Sequence, residues 1–181
     1  MLETERLILR RINENDTDSV FAMRRDADVM RFIREPQNLA ETENWIRLVS
    51  SRWKTDKLGF CGVFEKATGK FLGWCGVWRL KETNELEIGY AIAGRFWNRG
   101  YATEAARAFL RYAFENIKPD LVTAVAEPEN IASRRVMEKL GMKYALTGNF
   151  YNRRLVQYSI TREEFLRKTQ NDKNHFENAL N

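Results

Sequence analysis

The stretch RFWNRGYATEAARAF, residues 95–109, joins a strand-like run to a regular helix through Gly100. A strand ending at Ile92, a loop containing a glycine and a helix from about Ala102 form an anion site. The free N–H groups of the first helical turn converge there, and the helix dipole adds to them. Gly100 can take a positive φ, and Ala102 has little side chain to obstruct a close approach. Arg95 and Arg99 supply positive charge just before the helix, where anions are already favoured. The chemistry open to this arrangement is the grip of a phosphate or pyrophosphate. It is not a P-loop, because no Lys-Ser/Thr follows the glycine, and it lacks the glycine pair of GxGxxG. An ordinary strand-to-helix connection is the alternative that the stretch alone leaves open.

Other chemistry is narrowed by what the chain carries. Its single histidine, His175, lies in the polar run QNDKNHFENALN, which removes Ser-His-Asp and Cys-His catalysis and leaves no zinc or non-haem iron site. No metal is expected. Cys61 and Cys75 fall inside apolar strand-like runs and match no metal-ligand spacing, so they read as reduced core residues. No run of about 18 apolar residues is present to span a bilayer, and MLETERLILRR carries charges where a signal peptide needs its apolar centre. A cytoplasmic protein without a membrane partner is expected.

Net charge is +5, yet residues 1–57 hold eleven Lys/Arg against eleven Asp/Glu. Between Arg95 and Lys118 there are five basic residues against Glu104 and Glu115, so the basic field centres on the glycine loop. For Arg107 and Arg111 a solvated helix face is an equal alternative.

The elements that position this loop follow from periodicity. ERLILRRI is a short strand, and Asp16 offers an N-cap for a helix over TDSVFAMRR. A second helix over about 40–53 places Trp45, Leu48, Val49 and Trp53 on one face. Residues 59–92 read as three antiparallel strands with turns at Thr68-Gly69 and Thr83-Asn84. ATEAARAFLRYAFEN is an amphipathic helix stopped by Pro119 and Asp120, with Ala102, Ala105, Ala106, Phe109, Leu110, Ala113 and Phe114 on its stripe. LVTAVAE is a buried strand of the parallel-pairing kind. IASRRVMEKLG is a helix opened by Pro128 and Asn130 and closed by Gly141. Two strands around 149–152 and a capping box at Thr161–Glu164 complete the order. The composition, with 44% hydrophobic residues, is that of a folded globular domain. One α/β (α+β) domain over 1–168 is expected, with a mixed, mostly antiparallel sheet of about seven strands flanked by helices. A polar, disordered tail is expected over 169–181.

With WNRGYATEA and AEPENIASRRVMEKLGM together on one chain, the sequence resembles the GNAT superfamily of N-acetyltransferases. TERLILRRI and LEIGYAI extend the likeness to the branch of ribosomal-protein N-terminal acetyltransferases of the Rim type. The resemblance implies acetyl-CoA as co-substrate and assigns the family's pyrophosphate loop to Trp97, Asn98, Arg99, Gly100, Tyr101 and Ala102, followed by Thr103. Trp97 departs from the family's polar first position, which touches a side-chain contact more than a cradle built on backbone N–H groups. Ile92 and Ala93 end the strand that feeds the loop. Asn130 and Ser133 match the family's Asn-x-x-Ser, a second clamp on the pantetheine arm and thioester, although Asn130 reads equally well as a helix cap. Many members carry a tyrosine acid seven residues after that asparagine. Here it is Met137, which cannot donate a proton, so Ser133 is implied to hold the sulfur.

The implied reaction is direct attack of a neutral amine on the acetyl carbonyl in a ternary complex. Backbone N–H groups at the end of LEIGYAI would hold the oxyanion. Glu87 matches the position of the family's carboxylate base, while a solvent-facing strand residue is the plain alternative. The Rim-like likeness implies an N-terminal α-amino group of a ribosomal protein as acceptor. A small-molecule amine such as a polyamine, aminoglycoside or amino acid is the alternative, as are a non-catalytic CoA-binding protein and a nucleic-acid-binding module. Direct nucleic-acid binding is disfavoured, because the aromatics alternate with apolar residues as core does and no reading signature accompanies them. A monomer or homodimer is expected.

Overall fold

The computed structural model describes the backbone of residues 1–179 and the side chains of residues 1–170. His175 and most of the expected tail over 169–181 have side chains outside the described residues. Eight strands form one sheet: β1 (Leu2–Glu3), β2 (Leu7–Arg11), β3 (Gly59–Glu65), β4 (Phe71–Arg79), β5 (Leu86–Ile92), β6 (Leu121–Ala126), β7 (Lys143–Phe150) and β8 (Arg153–Thr161). Their order is β1-β2-β3-β4-β5-β6-β8-β7, and every pairing is antiparallel except β5 with β6. The two-residue β1 is the strand beyond the seven expected; it is too short to show a period.

Side-chain alternation divides the core between the two faces of this sheet. On one face Phe64, Phe71, Trp74 and Ala91 pack under α1 (Thr17–Arg24), α2 (Ala27–Met30) and α3 (Leu39–Thr55) through Val20, Met30 and Ile46. On the other, Leu7, Val63, Cys75, Val77 and Ile88 pack under α4 (Tyr101–Tyr112) and α5 (Ile131–Leu140) through Ala105, Phe109, Leu110 and Met137. α6 (Arg162–Ala179) adds Phe165 against Phe114, their ring centroids 5.2 Å apart. Cys61 and Cys75 lie opposite each other in the β3–β4 register as free thiols. Burial pushes Cys61 up to about 12 and Cys75 well above its ordinary value, so neither thiol is a nucleophile.

Three local expectations need correction. Asp16 does not cap α1, because Arg10 and the Asn13 N–H take its carboxylate, at 2.6 and 2.9 Å. In α3 the inward positions are Thr42, Ile46, Val49 and Trp53, at spacings of four, three and four, which turns Leu48 out to solvent. α4 begins at Tyr101 and runs into a π-helical turn over Ala113–Ile117, ended by Lys118 in the left-handed conformation before Pro119. The capping box at Thr161 forms as read, with Glu164 accepting from the Thr161 N–H at 3.0 Å and the Thr161 hydroxyl accepting from the Glu164 N–H at 3.2 Å.

The functional geometry comes from one junction. β6 pairs with β8 along its whole length but with β5 only at Leu86↔Val122 and Glu87↔Thr123. Beyond Glu87 the two parallel strands diverge, and a wedge opens in the middle of the sheet.

Candidate functional site

α4 follows β5 through the loop from Ala93 to Gly100, which the end of that strand holds. Asn98 and Gly100 take φ of 60° and 80° on either side of Arg99, which turns successive amides toward one centre. The N–H groups from Asn98 to Thr103 meet no acceptor among the described residues; the first helical bond belongs to Glu104, donating to the Gly100 carbonyl at 3.0 Å. A run of consecutive unpaired amides at a helix N-terminus fits a diphosphate. A Cβ on Gly100 would lie 3.5 Å from the Arg6 guanidinium, so it is the positive φ that calls for glycine there.

Four donor side chains hold this cradle. The Trp97 indole N–H donates to the Ile92 carbonyl at 2.5 Å, tying the loop to the end of β5. Arg6 donates to the Arg99 carbonyl at 3.1 Å and pairs with Glu104 at 2.6 Å. Thr4 donates to the same carboxylate at 2.5 Å. The Tyr101 hydroxyl donates to Glu65 at 2.8 Å. The loop is thus fixed without using its own amides. Trp97 acts through this tie rather than as a polar contact. Ile92 and Ala93 are also engaged, the latter donating its N–H to the Leu72 carbonyl at 2.8 Å.

On the far side of the wedge a cavity of about 810 Å³ runs from Asn130, Ser133 and Tyr90 past Glu87 to Trp45, Phe60 and Trp78. Asn130 caps α5, its Oδ1 accepting from the Ser133 N–H at 3.1 Å, which leaves its Nδ2 donor for the cavity. The Tyr90 hydroxyl donates to the Ser133 carbonyl at 3.0 Å and lies 3.2 Å from the Ser133 Oγ. Burial pushes the Tyr90 phenol well above its ordinary value, with the Ser133 contact opposing. That group is a hydrogen-bond partner rather than an acid. Met137 is buried one turn further along α5 and contributes only shape.

Glu87 is half-buried at the last position where β5 pairs with β6, in register with Trp78 of β4. Burial pushes its carboxyl up to about 7; the hydroxyl of Tyr151 donates to it and pulls the other way, while Glu82 pushes up. Tyr151 and Asn152 form the two-residue turn between β7 and β8 with φ of 53° and 58°. Such turns favour Asn-Gly. A tyrosine in this left-handed conformation carries a backbone cost, and here it aims the ring at Glu87.

The sequence-predicted residues therefore gather in two clusters. Asn98 to Thr103 form the cradle, and Glu87, Asn130 and Ser133 line the cavity, with Ile92, Ala93 and Trp97 joining them. Sequence reasoning missed Tyr90 and Arg6. Tyr90 alternates with Glu87 across LEIGYAI, and that period signals a side chain on the opposite face, toward α5. Arg6 gave no signal, because its partners lie about a hundred residues away. Among the described residues no cluster of three metal-ligating side chains occurs, and no helix is long and apolar enough to cross a membrane.

Known proteins share this fold. The acetyltransferase (GNAT) domain family matches residues 6–143. A Bacillus subtilis protein, YkkB, is 34% identical over 160 residues, covering 87% of this chain and 93% of its own. An Aspergillus fumigatus protein named FsC-acetyl coenzyme A-N(2)-transacetylase is 30% identical, covering 92% of this chain and 78% of its own. A GNAT-family acetyltransferase from Bacillus anthracis, solved by crystallography, superposes with a TM-score of 0.77 at 28% identity, over 90% of this chain and 98% of that one.

Proposed function

The chain belongs to the GNAT acetyltransferase family, and from that premise we propose that it moves an acetyl group from acetyl-CoA to the α-amino group of a peptide or protein N-terminus. The observation that carries this is the run of unpaired amides from Asn98 to Thr103 beside a wedge holding Glu87 and Ser133. The amides, fixed by Arg6 and Trp97, hold the diphosphate. Asn130, through its Nδ2 donor, and Ser133 face the pantetheine arm and thioester. β5 lacks a partner strand beyond Glu87 on its wedge side, so amides on that edge are available to a developing oxyanion.

Glu87 takes the proton. A carboxyl with its pKa near 7 is matched to an amine acceptor at neutral pH. An α-amine with a pKa of about 8 is roughly one-tenth neutral at pH 7, whereas a lysine amine near 10.4 needs about 3 kcal/mol more. A site whose depth holds one carboxylate outside an ion pair among the described residues therefore suits the α-amine. As the C–N bond forms and the C–S bond breaks, the amine proton passes to Glu87, and the Ser133 hydroxyl donates a hydrogen bond to the departing sulfur. The Rim-type likeness supports a ribosomal-protein N-terminus. A small amine is the second reading, favoured by the relative named as an N(2)-transacetylase.

Thermal shift with acetyl-CoA tests the cradle. Acetyl-CoA raises the Tm of the wild type, and Gly100→Glu, which sets a carboxylate in the phosphate site, loses that shift. Mass spectrometry of N-terminal peptides, polyamines, aminoglycosides and amino acids incubated with the protein and acetyl-CoA then identifies which acceptor is acetylated. No shift at saturating acetyl-CoA and no acetylated product would refute the proposal.

A further inference from the structure

Gly89 lines the acceptor side of the cavity. Gly62, Gly76 and Gly89 lie on the same sheet face as Phe60, Trp74, Trp78 and Glu87, with Phe60↔Gly76↔Gly89 in one row across β3, β4 and β5. A Cβ at Gly89 would come within 3.0 Å of the Phe60 ring. The missing side chain at Gly89 leaves backbone as a floor there, and the aromatic rings stand around it as walls.

Those rings form a continuous array. Phe60 stacks on Trp78 with centroids 6.0 Å apart, Trp45 meets Phe60 at 6.1 Å, and Trp45 meets Trp74 at 5.3 Å. Trp45, Phe60 and Trp78 are only half-buried, so their remaining surface faces the cavity rather than the core. Glu87 sits directly across the β4–β5 register from Trp78. An amine placed at Glu87 therefore carries its next few atoms against indole and phenyl faces.

The charges around this wall decide what kind of amine fits. Behind it lies Arg24, fully buried, its guanidinium 4.1 Å from the Trp45 centroid and 5.3 Å from that of Trp74, held by Gln37 at 2.7 Å without a carboxylate partner among the described residues. Arg31, Arg34 and Glu35 are exposed together at the mouth. Glu127, the other carboxylate deep in the cavity, is already paired with Arg153. Glu87 is thus the one carboxylate in the depth of the cavity without an ion-pair partner among the described residues. A polyamine or aminoglycoside would find no second such carboxylate there for its further ammonium.

Resting on the acetyltransferase reading above, we propose that the acceptor is a primary monoamine whose nitrogen lies within two carbons of an aromatic ring. Two sources share this chemistry: a peptide whose first residue is aromatic, and a free arylalkylamine. The aromatic wall supplies apolar contact to the ring, and the depth of the cavity offers no second carboxylate free of an ion pair to a polycation.

The test compares kcat/KM for a Phe-starting peptide, the same peptide starting with Ser, 2-phenylethylamine and spermidine, at saturating acetyl-CoA. At least tenfold higher kcat/KM is expected for the Phe peptide over the Ser peptide, or for 2-phenylethylamine over spermidine, and whichever pair shows it identifies the source. Trp78→Ala should collapse the ratio while leaving KM for acetyl-CoA unchanged. Arg34→Glu, at an exposed position with no fold to disturb, should raise spermidine turnover severalfold and keeps the proposal testable if Trp78→Ala misfolds. Equal rates within both pairs, or ratios indifferent to both variants, would overturn it. Absence of any acetylated product would instead overturn the acetyltransferase reading.

Discussion

Replacing Glu87 with glutamine should stabilise the fold at pH 8 while removing activity. The Glu87 carboxyl is raised from 4.5 to about 7 by burial. A carboxyl whose folded pKa lies above its unfolded one contributes stability that is fully present below pH 4.5 and is lost as pH rises through 7. The full difference at pH 8 corresponds to about 3 kcal/mol. Since the carboxyl is partly open to the cavity, solvent screening reduces this to roughly 1–2 kcal/mol. In a chain of this length that is a Tm difference of about 2–8 °C. The glutamine side chain keeps an oxygen for the Tyr151 hydroxyl and carries no charge, so Glu87→Gln should be more stable than the wild type at pH 8 and indistinguishable from it at pH 4.5. Thermal denaturation at both pH values measures the difference, and acetyl transfer is followed in parallel by release of the CoA thiol. A wild type as stable as the variant at pH 8, or a gap that does not close at low pH, would refute this account of Glu87.

The acceptor-saturated rate of the wild type should fall about tenfold per pH unit below pH 7, and Glu87→Gln should lose that limb. Tyr151→Phe removes the donor that holds the Glu87 carboxyl down, so the limb should move to higher pH in a kcat profile; a shift the other way would contradict the contact. Tyr90→Phe frees the Ser133 hydroxyl from its partner and should lower kcat while KM for acetyl-CoA stays the same, as read from initial rates. Arg6→Ala should weaken CoA binding severalfold by calorimetry, because the Arg99 carbonyl loses its tether and the amides of the cradle lose their alignment.

Much of the fold was legible because it rests on local signals. The hairpins at Thr68-Gly69 and Thr83-Asn84, the apolar stripe of α4, the glycine that ends α5 and the capping box at Thr161 all depend on neighbours within a few residues. The cradle was legible in outline for the same reason: Gly100 stands just before a helix. That every amide from Asn98 to Thr103 is unpaired was not, since it depends on the left-handed turn at Asn98 and on tethers from Arg6 and the end of β5. The wedge beside Glu87 was also hidden. LVTAVAE reads as a parallel strand, but where it leaves its partner is set by tertiary packing. Arg24 shows the limit most clearly: in the pair Arg24–Arg25 nothing in the sequence says which arginine two indoles will bury.

Amide chemical shifts measured by ¹⁵N NMR during titration with CoA test the central claim most directly. The largest changes are expected at the amides from Asn98 to Thr103, with their hydrogen exchange slowed in the complex. If CoA binds while those amides keep their free shifts and exchange rates, the diphosphate lies elsewhere and the cradle is not its site.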